Sequence, residues 1–252
     1  MAEWVLEEKE GVKYFRLNFN QPGFEYIFCL FFTRVGGLKF LFEEPEVFTT
    51  NLRWVEANFG INNINVLKQI HSDKIYYISK ENTSADYQKG DGMFTDQANV
   101  FLSVRVADCL PIYFIVPERE IIGIVHSGRK GTIQAISLKM VKTIQEKYKV
   151  KINQISYAFG PSIGQCCYEV GKDVADEFKV FVKEHDIANT IIERNNKIFL
   201  DLKLINQKLL ENLGLEKIGD IDLCSYCNKE LLYSARRENL AGRNLALIGY
   251  RA

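Results

Sequence analysis

Histidine is scarce in this chain, at three of 252 residues. Imidazole is the usual nitrogen ligand of zinc, copper and iron, so a site that needs many imidazoles cannot be built here, whereas one mononuclear site using two or three can. Neither sign of charge is in excess, with 32 Lys and Arg against 32 Asp and Glu. A broad face for nucleic acid normally needs a basic surplus, and that class of function is excluded. The most apolar stretch, Ile27 to Phe32, falls far short of the roughly 20 residues of a membrane helix and reads as a buried strand, so no membrane association is expected. Met1 to Gly11 hold four glutamates and one lysine in place of a basic start and an apolar core. No secretory leader is visible there, and a cytoplasmic location is expected. The five prolines are scattered, and no linker, repeat or low-complexity tract interrupts the sequence; one continuous domain over residues 1–252 is the simplest expectation. Six cysteines are too few for a disulfide scaffold, so each is a ligand, a nucleophile or packing.

Apolar segments with period two, or continuous and rich in Val, Ile, Tyr and Phe, predict strands at 12–19, 26–32, 64–70, 75–78, 100–106, 112–116, 121–126, 154–159, 190–194 and 243–249. Val100, Leu102, Val104 and Val106 make one clean strand face. Helical spacing appears from Ile133 to Tyr148, from Val174 to His185 and from Leu202 to Leu213, the last capped by Asp201 and Gly214. Strands outnumber helices and run in groups instead of alternating with them, which predicts a layered α+β domain in preference to a doubly wound parallel sheet.

The densest chemistry begins where the strand 100–106 ends in Ala107-Asp108-Cys109-Leu110-Pro111. The next strand but one runs into His126-Ser127-Gly128-Arg129-Lys130-Gly131-Thr132 and a helix. If the strands flanking these segments are neighbours, Cys109 and His126 lie side by side. The small residues from Ser127 to Thr132, with Arg129 and Lys130 adding charge, suit an anion at a helix start, although the GxxxxGK[ST] spacing of a P-loop is absent. His71 follows the strand 64–70. A set of His71, Cys109 and His126 would leave one tetrahedral position of zinc open, as catalytic sites do, and copper could also accept it. His185 lies on a helix face behind Phe178 and Val182 and receives no role. Cys224 and Cys227 have knuckle spacing but no second CxxC or HxxxH pair completes four ligands, and the adjacent Cys166 and Cys167 have the wrong spacing. These four, with Cys29, read as structural thiols. Three arginines, Arg236, Arg237 and Arg243, precede the last strand and could recognise an anion through their donor forks.

Taken in order, Phe32-Thr33-Arg34-Val35-Gly36-Gly37, Gln69-Ile70-His71, Gly90-Asp91-Gly92-Met93-Phe94-Thr95, Ala107 to Pro111, Val125-His126-Ser127-Gly128, Gly160 to Gly164 with Cys167 to Gly171, and Arg236-Arg237 with Gly242-Arg243 together resemble the YfiH-type family. Its members have long been described as polyphenol oxidoreductases or laccase-domain proteins, and also as peptidoglycan editing factors. The resemblance implies a cytosolic purine nucleoside phosphorylase that takes adenosine, inosine or S-methyl-5′-thioadenosine with inorganic phosphate and also deaminates adenosine. It implies one zinc on two histidines and a cysteine, at the positions of His71, Cys109 and His126. It also implies a three-layer α/β/α fold around a mixed, mostly antiparallel sheet. The chain departs from the family at Arg129, where tryptophan is usual, at Lys130 for arginine, at Ala235 for an aromatic and at Glu238 for aspartate.

On this reading, phosphate attacks the ribose anomeric carbon and the purine leaves, while the open metal position can also activate water for attack on C6 of adenosine. Asp108 is the candidate for orienting a ligand or carrying a proton, although a neighbour of Cys109 on an extended strand points to the opposite face. Arg129, Arg236, Arg237 and Arg243 are candidates for phosphate or substrate; Asp91 and Arg34 enter on the resemblance alone. Rival readings are a metal-free amidase with Cys109 as nucleophile and His126 as base, a copper polyphenol oxidase, which three histidines supply poorly, and a non-catalytic binding protein.

Overall fold

The fold, taken from a computed structural model, is described for residues 2–20, 22–81, 88–239 and 241–251. Leu240, inside the C-terminal arginine-bearing stretch, lies outside them. One six-stranded sheet runs β1 (Glu3–Lys9), β2 (Val12–Asn18), β3 (Ile27–Phe32), β15 (Asn244–Tyr250), β7 (Phe101–Val106), β4 (Ile64–Val66). A second runs β14 (Glu216–Gly219), β10 (Ser156–Phe159), β8 (Leu110–Val116), β9 (Ile121–Ser127), β6 (Gly92–Thr95), β5 (Ile75–Tyr77). A small third sheet joins β11 (Glu169–Val170), β13 (Lys197–Leu200) and β12 (Ile191–Arg194). Neighbours are antiparallel except β4 on β7, β5 on β6 and β14 on β10. The α+β class and the mixed, mostly antiparallel pairing agree with the expectation from sequence.

The two large sheets face each other across one apolar core. Val100, Leu102, Val104 and Val106 contribute to it from the first sheet, and Tyr113, Ile115, Ile122 and Ile124 from the second. Helices cover the outer faces. Helix α1 (Pro45–Phe59) lays Phe48, Val55 and Phe59 on the first sheet, and α3 (Ile136–Tyr148) lays Ile136, Met140, Val141 and Ile144 on the second. The α/β/α layering therefore holds, with its β layer doubled. This explains why β8 reads as a continuous apolar run: Ile112, Phe114 and Val116 face α3 while Tyr113 and Ile115 face the other sheet. Helix α2 (Arg129–Ile133) precedes α3. Helices α4 (Lys172–Glu184) and α5 (Leu202–Asn212) share a further cluster around Phe178, Ile205 and Leu209, and α6 (Ala235–Glu238) is one turn. The Asp201 side chain caps α5 by accepting from the Leu204 N–H. No helix among the described residues is long and apolar enough to cross a membrane.

Helix α1 has no counterpart in the sequence reading, although Phe48, Leu52, Val55 and Phe59 have helical spacing and Pro45 and Gly60 punctuate its ends. Three β-branched residues in its first two turns, Val47, Thr49 and Thr50, obscure that signal. The predicted strand 64–70 is shorter than expected. It ends at Val66, and the chain then leaves the first sheet for the second.

Two buried hydrogen bonds tie the sheets together. Tyr113 Oη donates to the Leu30 carbonyl at 3.0 Å, and Trp4 Nε1 donates to the Phe159 carbonyl at 2.9 Å. A buried hydrogen bond of this kind is worth about 1 kcal/mol. Tyr113→Phe should therefore lower unfolding stability by about 1 kcal/mol, read as a lower denaturation midpoint at an unchanged denaturant slope.

Candidate functional site

His71, Cys109 and His126 come from three separate segments, and their ligand atoms all lie within 4.8 Å of one another. His71 sits where the chain crosses from β4 in one sheet to β5 in the other. Cys109 sits where β7 crosses to β8, and His126 is on β9, beside β8. The imidazole rings are 4.9 Å apart, steeply inclined at 71°. His126 is buried and Cys109 partly so, while His71 is exposed. Gly128 makes this approach possible, since a Cβ there would lie 2.7 Å from Cys109 Sγ and 3.4 Å from the His71 ring.

Asp91 organises the group. Its carboxylate is fully buried and accepts from the backbone N–H groups of Ile70, His71 and Ser72 at 3.2, 3.0 and 2.6 Å, and from Ser72 Oγ at 2.8 Å. A fifth bond, 2.9 Å, joins it to His126 Nδ1. Burial opposes ionisation of Asp91, but the His126 ring and Ser72 outweigh it and hold the carboxyl at about 2. An ionised Asp91 can only accept, so His126 Nδ1 carries the proton and Nε2 faces Cys109. His71 has a left-handed backbone, φ 57°, and the N–H bonds to Asp91 hold it there. Gln69 secures the same segment: its amide donates to the Arg105 carbonyl and accepts from the Arg105 N–H.

Asp108 also has positive φ, 89°, which is costly for a residue with a Cβ. Its carboxylate accepts from Ser225 Oγ at 2.6 Å and from the Arg236 N–H at 2.7 Å. The turn explains why strand alternation is a poor guide to this side chain: Asp108 and Cys109 both line the same cavity.

That cavity, about 700 Å³, opens over the three ligands and is lined in addition by Lys68, Arg105, Arg236, Arg243, Phe42 and Tyr168. The Arg105 guanidinium lies over the Phe42 ring and Arg236 over Tyr168. Arg129 lines a smaller cavity that shares Tyr168 and Arg236 with the first. The rest of the glycine turn points elsewhere, with Ser127 Oγ and Thr132 Oγ1 meeting each other and Asn206 in the interior. Arg34 and Arg237 do not line the cavity. Both are bound to Glu238, at 2.6 and 2.8 Å, and Arg237 also donates to the carbonyls of Ser225, Tyr226 and Leu232. Lys68, Arg105 and Phe42 are cavity residues that the sequence reading missed. Arg105 is on a recognised strand, but nothing in its spacing says that it faces a cavity. His185 lies on α4's end, stacked on Phe181, with Nδ1 donating to the Phe181 carbonyl.

The donors suit a metal. Two imidazoles and a thiolate are a zinc set with one position left for a ligand, and a histidine oriented by a buried carboxylate is the usual support for such a site. A family model described as multi-copper polyphenol oxidoreductase laccase matches residues 40–251. The chain belongs to that family. A purine nucleoside phosphorylase of Borreliella burgdorferi is 38% identical over 179 residues, 69% of this chain and 74% of that protein. The purine nucleoside phosphorylase YlmD of Bacillus subtilis is 31% identical over 215 residues, 81% of this chain and 73% of the relative. Among solved structures, YlmD from Geobacillus stearothermophilus superposes with TM-score 0.87 at 26% identity, covering 99% of this chain and all of that one. The Bacillus licheniformis protein YfiH gives 0.85 at 25% identity, covering 98% and 99%. A multi-copper site would find few imidazoles here: His71 and His126 lie together with Cys109, and the third histidine bonds the Phe181 carbonyl at the end of α4.

Two outcomes follow from Asp91. Asp91→Asn should weaken metal binding at His71, Cys109 and His126 about 10–100-fold, read by competition with a chromophoric chelator. In metal-free protein, burial works against a Cys109 thiolate, but His126 and His71 outweigh it and hold this thiol at about 6. Because the pKa is lowered, the thiolate persists from high pH down to that value. Alkylation of Cys109 by iodoacetamide, followed by peptide mass spectrometry, should show a midpoint near pH 6 and not near the ordinary thiol value.

Proposed function

We propose that this chain is a zinc-dependent purine nucleoside phosphorylase of the cytoplasm, cleaving adenosine, inosine and S-methyl-5′-thioadenosine with inorganic phosphate and also deaminating adenosine. The observation that carries this is a His₂Cys donor set on the floor of a nucleoside-sized cavity whose wall bears Lys68, Arg105, Arg236 and Arg243. The name shared by the curated relatives points the same way.

His71, Cys109 and His126 would hold the zinc. Bound there, the metal supplies Lewis acidity for charge on phosphate or the departing purine, and for activating water. Asp91 fixes the His126 tautomer and the His71 backbone. The cationic wall, with Arg236 and Arg243 foremost and Arg129 extending it into the adjoining cavity, binds phosphate so that one oxygen meets the anomeric carbon as the bond to the purine nitrogen breaks. Phe42 and Tyr168 offer ring faces to the base. Asp108 positions the start of α6 and with it Arg236, while Arg34 and Arg237 brace α6 from behind through Glu238.

Zinc-loaded protein should release free purine base from adenosine or inosine in the presence of phosphate; no base release at full metal loading would overturn the assignment. Cys109→Ala should lose metal at this site and turnover together. Arg243→Ala should raise KM for phosphate about tenfold, ~1.4 kcal/mol, with a smaller change in kcat.

A second reading rests on the metal-free electrostatics. Burial disfavours a charged His126, but Cys109 and Asp91 outweigh it and hold the ring at about 9, so Cys109, His126 and Asp91 line up as thiolate, imidazolium and carboxylate. That is the arrangement of a cysteine hydrolase acting on an amide. Activity that survives complete chelation of the metal would favour it over the phosphorylase.

A further inference from the structure

Four cysteines outside the cavity meet in space. Cys166 and Cys167 lie in the turn between β10 and β11, and Cys224 and Cys227 in the turn between β14 and α6. All four Sγ atoms lie within 4.8 Å of one another, with Cys166 to Cys227 at 3.9 Å and Cys167 to Cys227 at 3.3 Å. All four are free thiols. A tetrahedral zinc with Zn–S bonds near 2.3 Å sets its sulfurs about 3.8 Å apart, so these separations bracket what four thiolates around one ion require.

The backbone around Cys224 is arranged for a thiolate. The Gly164 N–H points to Cys224 Sγ at 3.3 Å, as in a zinc knuckle where amides stabilise sulfur charge. Gly164 eases this closeness, since a Cβ would stand 3.2 Å from Cys166 Sγ and 3.4 Å from Cys224. The two turns are already joined without an ion: Ser162 bridges to Cys224 in parallel fashion, and the Ser225 N–H donates to the Ser162 carbonyl at 3.0 Å. Cys166 and Cys227 are exposed, which leaves an entry path from solvent.

We propose that Cys166, Cys167, Cys224 and Cys227 form a second metal site, a closed tetrathiolate that takes one zinc ion. Four thiols give up four protons to solvent and form four Zn–S bonds, with no change of oxidation state and no position left for substrate. The site is therefore structural. Its effect reaches the cavity, because one turn leads directly into Tyr168 and the other carries Ser225, whose hydroxyl donates to Asp108. The clamp holds together the wall built from Tyr168, Asp108 and Arg236.

The test uses the full chain, purified under reducing conditions without chelator, with metal counted by elemental mass spectrometry. Two zinc ions per chain are expected, falling to one in Cys109→Ala and to one in the Cys224→Ser, Cys227→Ser double variant. Should the double variant fail to fold, cobalt titration of metal-stripped Cys109→Ala protein decides. One equivalent should give the intense visible bands and sulfur-to-cobalt charge transfer of a tetrahedral tetrathiolate. No zinc in Cys109→Ala, no cobalt binding by that variant, or peptide maps joining Cys167 to Cys227 in a disulfide would each overturn the proposal. Because Cys109→Ala removes the cavity site, this outcome is independent of the reaction assigned to that cavity.

Discussion

A buried carboxylate must be paid for in hydrogen bonds, and Asp91 gathers five of them from two places, the loop before β5 and the end of β9. Three backbone N–H groups and a hydroxyl come from the loop around His71, and the fifth donor is the His126 ring. Each bond satisfies the charge and at the same time fixes a ligand. The backbone of His71 stays left-handed, the tautomer of His126 is set, and Cys109 meets both rings from the neighbouring crossing. Without that anion the His71 loop would keep only the Gln69 and Lys68 contacts and His126 would be free to turn, so the donor set depends on a residue that is not itself one of the donors.

The elements most legible in the sequence are those whose two faces meet different neighbours in a regular way. The alternation from Val100 to Val106 and the continuous run from Ile112 to Val116 report sheet packing directly, and Asp201 announces its helix by a local bond. His71, Cys109 and His126 could be singled out as polar residues at strand ends. Asp91 could not, since its partners lie about 20 and 35 residues away and only resemblance nominated it. The arginines show the opposite failure. Clustering marks Arg237 as an anion binder as readily as Arg236 and Arg243, and resemblance adds Arg34, yet Glu238 holds Arg34 and Arg237 away from the cavity. The four clustered cysteines escaped for a topological reason. Neither pair has the spacing of a complete site, and contacts between residues some 60 apart, such as the bridge between Ser162 and Cys224, bring them together.

The site also shows how little a family's name constrains its chemistry. Copper oxidases spread electrons over several ions, each with its own imidazoles, whereas this chain places two of its three histidines on one potential ion and buries the third function in helix termination. Around the donors stand cations and aromatic faces, a lining suited to a phosphate and a flat base.

His71 and Cys109 both sit where the chain passes from one large sheet to the other, and His126 is already on the second. The donor set is thus a seam and not a loop decoration: its geometry is a direct measure of how the two sheets are seated on each other. A small slide between them, too slight to expose the core, would strain the two crossings that carry His71 and Cys109. Substitutions deep between the sheets, far from the three donors, would then first show themselves at this seam while the molecule was still folded, making the spacing of the donors a gauge of core packing.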